Sequence, residues 1–72
     1  MDSRIQVGVS FQQRHGSEWR RYHVRAIVDG DQAVLRYWHY GKQRWVYLVE
    51  SDVHFKVFLD GGMIRDIARP SV

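Results

Sequence analysis

The chain reads YHVRAIVDGDQAVLRYWHYGKQRWVYLV from Tyr22 to Val49, and this stretch decides the fold. Apolar and polar residues alternate along it in three runs, which is the pattern of half-buried β-strands. Asp29-Gly30-Asp31 separates the first two runs, and Gly41-Lys42 separates the last two. Aspartate and glycine tolerate the positive φ angles of tight hairpin turns. The stretch therefore predicts a three-stranded antiparallel meander over residues 22–49.

Residues before the meander predict one more strand. From Ile5 to Phe11, apolar residues occupy every second position, which is again a strand signal. The polar residues 12–18 predict a loop. Seventy-two residues without cysteine are enough for one domain, whose stability comes from its core or from a partner. We therefore expect a single domain over residues 1–72, with loose tails at 1–3 and 68–72.

The segment from Ser51 to Asp60 is compatible with two kinds of secondary structure. Its apolar residues alternate as in a strand, but Ser51 is a good helix N-cap and Gly61-Gly62 a good helix terminus. We expect a short helix at about 52–60, followed by a last short strand from Met63 to Ile67. The expected fold class is then mainly β, a small five-stranded SH3-like barrel.

Strand parity sorts the meander into two faces if both of its turns are two-residue loops. The nearly apolar face, which we expect to be the core, carries Val24, Ala26, Val28, Ala33, Leu35, Tyr37, Val46 and Leu48. The opposite face carries His23, Arg25, Ile27, Val34, Arg36, Trp38, Tyr40, Trp45, Tyr47 and Val49. In this register Trp38 is opposite Trp45, and Arg25 is near Arg36. A bulge at either turn would exchange the faces of the following strand.

The opposite face mixes aromatic rings with cationic side chains, a combination that suits binding. Aromatic rings stack on nucleobases, and guanidinium groups make planar contacts with phosphate or carboxylate. The candidate binding residues are Arg25, Arg36, Trp38, Tyr40, Lys42, Arg44, Trp45 and Tyr47. The aromatic residues belong to the core instead if the helix or the N-terminal strand covers them. The solvent exposure of Trp38, Trp45 and Tyr47 separates these two interpretations.

Charge and composition favour binding over catalysis. The formal net charge is +3, and residues 1–45 carry eight basic but only four acidic side chains. The histidines lack the spacing of a zinc site, there is no cysteine, and the carboxylates fall mostly at turns and predicted caps. We expect no enzymatic activity, no cofactor and no metal. Since no stretch resembles a signal peptide or a membrane span, we expect a cytoplasmic protein without membrane association.

Residues 22–53 carry two short motifs. Val24-Arg25-Ala26 stands where Tudor domains have Tyr-Arg-Ala, and His39-Tyr40-Gly41 stands where they have Asp-Tyr-Gly. In these motifs the segment resembles a Tudor domain, over 32 of the 72 residues. The resemblance implies an SH3-like barrel. It also implies that Tyr40, and either Trp19 or Tyr22, correspond to cage aromatics with which Tudor domains bind methylated arginine or lysine.

Two classes of function remain open. The first is nucleic-acid binding, in which the four candidate cations contact phosphates while the candidate aromatic residues stack on bases. The second is a protein-interaction module, either a small inhibitor or adaptor of the phage or mobile-element type, or a homodimer formed through the aromatic face. Tryptophan, tyrosine and arginine are enriched at interface hot spots, and edge strands pair readily with a second chain. Nucleic-acid binding is the hypothesis we prefer.

Overall fold

The computed structural model describes residues 5–70, so the predicted tail positions 1–3 and 71–72 lie outside it. Along this part of the chain follow β1 (Ser10–His15), β2 (Glu18–Val28), β3 (Gln32–His39), β4 (Arg44–Ser51), α1 (Asp52–Asp60) and β5 (Ile64–Ala68). The strands lie antiparallel in one sheet, in the order β4-β3-β2-β1-β5. The expected mainly β fold class is confirmed.

The predicted meander is present as the paired strands β2, β3 and β4. The ladder between β3 and β4 runs without a register shift and includes the expected pair Trp38–Trp45. The loop between β2 and β3 has three residues, Asp29–Asp31, rather than two. Asp29 and Gly30 both have positive φ angles, 55° and 78°. The second loop, between His39 and Arg44, has four residues and was also expected to have two. The local turn signals therefore predicted the meander correctly, although not the lengths of its loops.

Residues 52–60 form the helix α1, as its terminal residues predict. Ser51 Oγ accepts a hydrogen bond at 3.2 Å from the backbone N–H of His54, which satisfies one free donor of the first turn. At the other end Gly62 has a φ of 75°, and the N–H of Met63 donates to the carbonyl of Phe58 at 2.8 Å. A left-handed glycine with such a bond ends a helix in a Schellman motif. The alternative of a strand in this segment is wrong.

The N-terminal strand is present, but it begins later than the alternation predicts. β1 starts at Ser10 and continues to His15, through residues that were predicted as a loop. The turn that follows β1 is at Gly16-Ser17. Before β1, Gly8 has a φ of 94°, so the chain turns here and does not extend as a strand. Ile5 and Val9 are nevertheless buried. Their spacing reflects packing into the core, and the prediction of a strand from Ile5 is wrong.

A β-bulge changes the faces predicted for the end of β2. The register between β2 and β3 shifts between Val24 and Ala26, so Arg25 is an extra residue in β2. The parity is reversed from this point, because Ile27 packs against the core and Val28 is exposed. The assignment of Ala26 and Val28 to the core face, and of Ile27 to the opposite face, is therefore wrong. The bulge lies within the strand, where no turn signal predicts it.

One apolar core lies between the sheet and α1. Phe55 of the helix meets Phe11 edge-to-face, with 5.1 Å between ring centroids, and Tyr22 meets both Phe11 and Tyr37 at 5.9 and 5.3 Å. The buried hydrophobic residues are Ile5, Val9, Phe11, Tyr22, Val24, Ala33, Leu35, Phe55 and Ile64. Tyr37 and Leu48 pack against this cluster. Most of the predicted core face is therefore confirmed.

The two ends of the sheet are not paired with each other. β2 pairs with β1 through Glu18–His23 and with β3 through His23–Val28, so its two halves belong to different strand pairs. β5 is within one residue of the strand predicted at 63–67. It pairs with β1 and forms one edge of the sheet, and β4 forms the other edge. Within residues 5–70 the chain thus forms an open five-stranded sheet with one helix. A closed SH3-like barrel is not observed.

A buried carboxylate, Glu50, lies at the end of β4. The side chain of Gln13 in β1 lies beside it and lowers its pKa, while Glu50 Oε2 and Gln13 Oε1 have no hydrogen-bond partner. Burial raises the pKa of Glu50 above its ordinary value, and this effect exceeds the opposing influence of Gln13 and of the nearby His54. Because β1 and β4 are not neighbours in the sheet, the contact between Gln13 and Glu50 joins them across the core.

Glu50→Gln should raise the free energy of unfolding at pH 7 by on the order of 1 kcal/mol, because it removes a buried charge. In the wild type, a protonated Glu50 is tolerated in the core better than an ionised one. The free energy of unfolding is therefore highest below the unfolded-state pKa, ordinarily 4.5, and decreases as pH rises through the higher folded-state pKa. Urea unfolding followed by circular dichroism over this range measures the loss. Asp29→Asn, at an exposed turn, is the matched control. Equal pH dependence in wild type and Glu50→Gln would contradict the prediction.

Candidate functional site

The outer face, defined as the sheet face turned away from Phe11 and α1, carries the predicted aromatic residues. Trp38 and Trp45 are 37% and 38% exposed, and Tyr47 is 57% exposed. Tyr40, in the loop between β3 and β4, is 84% exposed. These four residues are therefore not part of the core, and their rings are accessible from solvent.

Arg36 organises the rings of the outer face. Its guanidinium carbon lies 3.9 Å from the centroid of the Trp45 ring, and its Nη1 donates to Tyr47 Oη at 3.4 Å. Trp45 in turn meets Trp38 edge-to-face, with 5.4 Å between ring centroids. The rings are thus held in place without a ligand, which lowers the conformational entropy that binding would cost.

The other predicted cations are exposed around these rings. Arg25 is the extra residue of the bulge in β2. Lys42 lies in the loop between β3 and β4, and Arg44 is the first residue of β4. The N–H of Lys42 donates to His39 Nδ1 at 3.1 Å, a bond that holds this loop against the end of β3. Arg36 therefore lies on the outer face and Lys42 in the loop at its end, whereas Arg44, which pairs with His39, has the strand parity of Val46 and belongs to the opposite face.

The pKa of His23 is sensitive to the positive charges of the arginines around it. It lies opposite Arg36 in the ladder between β2 and β3, and the bulge has displaced Arg25 from the position that the sequence predicts. Burial lowers the pKa of His23 below its ordinary value, and the positive charges of Arg36, Arg21 and Arg25 lower it further. His23 is therefore mainly neutral at pH 7, and the positive potential around it comes from the arginines.

A cleft of about 780 Å³, which we call the β2–β3 cleft, opens beside the outer face. Pairing between β2 and β3 ends at His23–Arg36. Beyond this pair, residues 18–22 pair only with β1 and residues 37–39 only with β4. The two strands therefore diverge, and side chains from both faces of the sheet line the gap. They include Glu18, Trp19 and Arg20 on one side and Tyr37, Trp38 and Tyr40 on the other.

The cations that line the β2–β3 cleft already have partners within the chain. The guanidinium carbon of Arg20 lies 4.7 Å from the centroid of the Tyr37 ring. Arg21 forms an ion pair with Asp66, and its Nη1 also donates to the Asp66 carbonyl at 3.0 Å. Both arginines that line the cleft are therefore already in contact with another side chain of the protein.

The candidate binding residues chosen from the sequence do not include the β2 side of this cleft, where only the Tudor resemblance pointed to Trp19 or Tyr22. Residues 19–22 read WRRY, the same mixture of aromatic and arginine side chains as in the segment 36–47. They precede the predicted meander, because the strand was expected to begin at Tyr22. Trp19 is half-buried, with the guanidinium carbon of Arg65 in β5 only 4.0 Å from its ring centroid. The composition of this run was the signal that could have extended the strand and the site.

Two further findings concern metals and membranes. Within residues 5–70, no group of three or more histidine, cysteine, aspartate or glutamate side chains is placed to hold a metal ion. No helix in this same part of the chain is both long and apolar enough to cross a bilayer.

The pKa of His23 should lie below the ordinary value of 6.5, and Arg25→Gln should raise it toward that value. The direction follows because protonation of the imidazole becomes easier when one of three nearby positive charges is removed. NMR titration of the histidine ring protons measures this pKa directly. Arg14→Gln removes an equal charge elsewhere in the sheet and should leave it unchanged. A pKa of His23 at or above 6.5 in the wild type would contradict the electrostatic description.

Comparison with known proteins identifies no relative. No protein-family model, no curated protein and no solved structure matches this chain.

Proposed function

We propose that this protein is a non-catalytic module that binds nucleic acid through its outer face. The observation that carries the proposal is the exposure of Trp38, Trp45 and Tyr47 on one face of the sheet, together with Arg36 stacked on Trp45. Stacking of a base on such a ring contributes about 1–3 kcal/mol. Clustered exposed aromatic rings in a folded protein mark surfaces at which another molecule binds.

The cations around these rings suit the phosphate backbone. Arg25, Lys42 and Arg44 are all exposed, and the chain carries a formal net charge of +3. Phosphate contacts by such residues release counterions, so the affinity should fall as the salt concentration rises. Burial is the first cause of the lowered pKa of His23, but the charges of Arg36, Arg21 and Arg25 add to it, and the positive potential of these arginines attracts a polyanion. Stacking and phosphate contacts depend little on base identity, so we expect weak sequence preference.

The relation to SH3-like barrels of the Tudor type remains part of this proposal. It is supported by the strand order β4-β3-β2-β1-β5, with α1 between β4 and β5. The contact between Gln13 and Glu50 also supports it, because side chains of β1 and β4 can meet only if the sheet curves around the core. Strong curvature of a five-stranded sheet is the geometry from which small barrels are built.

A second candidate function is homodimerisation, which the edge strand β4 favours. β4 is the last strand in the order of the sheet, and it exposes Tyr47 and Val49 on the outer face. Unprotected edge strands pair with other chains. If two copies join in this way, sedimentation velocity over a range of protein concentrations will detect a dimer. A monomer at every concentration would remove this candidate and leave nucleic-acid binding.

The wild type should bind a fluorescein-labelled oligonucleotide with an affinity that falls steeply between about 50 and 200 mM salt. Combining Lys42→Gln with Arg44→Gln should weaken binding and reduce the slope of log affinity against log salt by about one per lost phosphate contact. Tyr47→Ala should lower the affinity for single strands roughly fivefold to a hundredfold, because one stacked base is lost. Fluorescence anisotropy measures the affinities, and tryptophan quenching locates the ligand near the indole rings.

Lys56→Gln is the matched control for the loss of charge. Lys56 is exposed on α1, which packs on the side of the sheet opposite the outer face. Its replacement removes one positive charge, as Lys42→Gln alone does, and should leave the affinity close to that of the wild type. Equal losses from Lys56→Gln and Lys42→Gln would show that only net charge matters, which would refute the outer face as the site. An absence of binding to single-stranded and duplex oligonucleotides at low salt would refute the function.

A further inference from the structure

The β2–β3 cleft differs in shape and chemistry from the outer face beside it. We propose that it binds one unpaired nucleobase, so that the preferred ligand is a single strand or a duplex with an unpaired base. This inference rests on the nucleic-acid function proposed above and narrows its substrate class. It also gives a role to Glu18 and Trp19, which the sequence analysis did not include in the candidate site.

The shape of the cleft suits a flat ring better than an extended peptide. A peptide that joined the sheet would need a spacing of about 4.8 Å to each neighbouring strand over several residues. β2 and β3 are still paired at His23–Arg36, and at the next position the rings of Tyr22 and Tyr37 are in contact at 5.3 Å. The gap is therefore closed at one end and widens only beyond these rings. A wedge of this kind leaves too little length for a strand, but it can receive a thin aromatic ring.

The charges of the cleft favour a base over a phosphate. Glu18 is the only acidic side chain among the described residues that line it. A carboxylate repels phosphate, but it accepts hydrogen bonds from the amino groups of bases. Glu18 offsets the positive charge of Arg20, which is stacked on Tyr37, and Asp66 offsets that of Arg21, so the cleft presents little net positive charge to a phosphate. Phosphates should therefore contact the outer face while the base enters the cleft.

Aromatic rings stand on both sides of the cleft. Trp19 belongs to β2, whereas Trp38 and Tyr40 belong to β3 and the loop that follows it. The volume of about 780 Å³ lies within the roughly 300–1,000 Å³ that small-molecule sites occupy. Trp38 also touches Trp45 on the outer face, so a base in the cleft is continuous with the stacking surface outside. An unpaired base thus has an apolar wall and a direct connection to the rest of the site.

Three labelled DNAs of the same sequence test this inference: a perfect duplex, the same duplex with one additional unpaired base, and the single strand. Fluorescence anisotropy at low salt should show that the two DNAs with unpaired bases bind roughly five- to a hundredfold more tightly than the perfect duplex. Tyr40→Ala and Trp19→Ala should each reduce this difference, because they weaken binding of the two DNAs with unpaired bases more than binding of the perfect duplex. Tyr40 is largely exposed, so its variant keeps the core even if Trp19→Ala disturbs Arg65.

Arg44→Gln is the matched control, because loss of a phosphate contact should weaken binding to all three DNAs by the same factor. Equal affinity of the wild type for the three DNAs would overturn the inference about the cleft and leave the proposed function intact. The inference would also be overturned if Tyr40→Ala and Trp19→Ala weakened all three complexes equally. An absence of binding to any of the three would refute the proposed function itself, and the inference with it.

Discussion

The double pairing of β2 is the constraint on which the rest of the structure depends. Its first half pairs with β1 and its second half with β3, and His23 takes part in both ladders. Because the two ladders overlap only at His23, the edge of β2 that would face β3 is unpaired from Glu18 to Tyr22. On the core side Tyr22 bridges this change, because its ring contacts both Phe11 and Tyr37. Beyond Tyr37 the strands diverge, and the β2–β3 cleft is the direct consequence.

The bulge at Arg25 is a second irregularity of β2, and it lies just after His23 in the half of the strand that pairs with β3. One extra residue reverses the parity of β2, so that Ile27 turns toward the core. Arg25 itself is exposed, and together with Arg21 and Arg36 it surrounds the imidazole of His23 with positive charge. A single irregularity in the strand therefore contributes both to the packing of the core and to the potential of the outer face.

Much of the fold could be predicted because its signals act over a few residues. Ser51 caps α1 through a bond to His54, and the pair Trp38–Trp45 follows from the loop that joins β3 to β4. The N-terminal strand was misplaced because Ile5 is buried without being part of a strand. Periodicity records which residues face the core, and a turn at Gly8 can bury the same residues as a strand would.

The candidate site shows a similar division. Sequence parity collected Arg36, Trp38, Trp45 and Tyr47 on one face, since all four belong to β3 and β4, whose register is regular. It did not include Trp19, whose position beside the cleft depends on the point at which β2 changes partner. The solvent exposure of these rings could not be predicted from the sequence either, because it depends on where α1 and the N-terminal segment pack.

By itself, the sequence determined the meander, the helix termini and the set of aromatic and cationic residues that share a face. These features depend on turn residues, caps and alternation, which act between neighbours in the chain. Only the tertiary structure decided where β2 changes partner, that the sheet has a cleft, and that Glu50 is buried. Those outcomes depend on contacts between distant residues, such as Gln13 with Glu50 and Arg21 with Asp66, which no local pattern encodes.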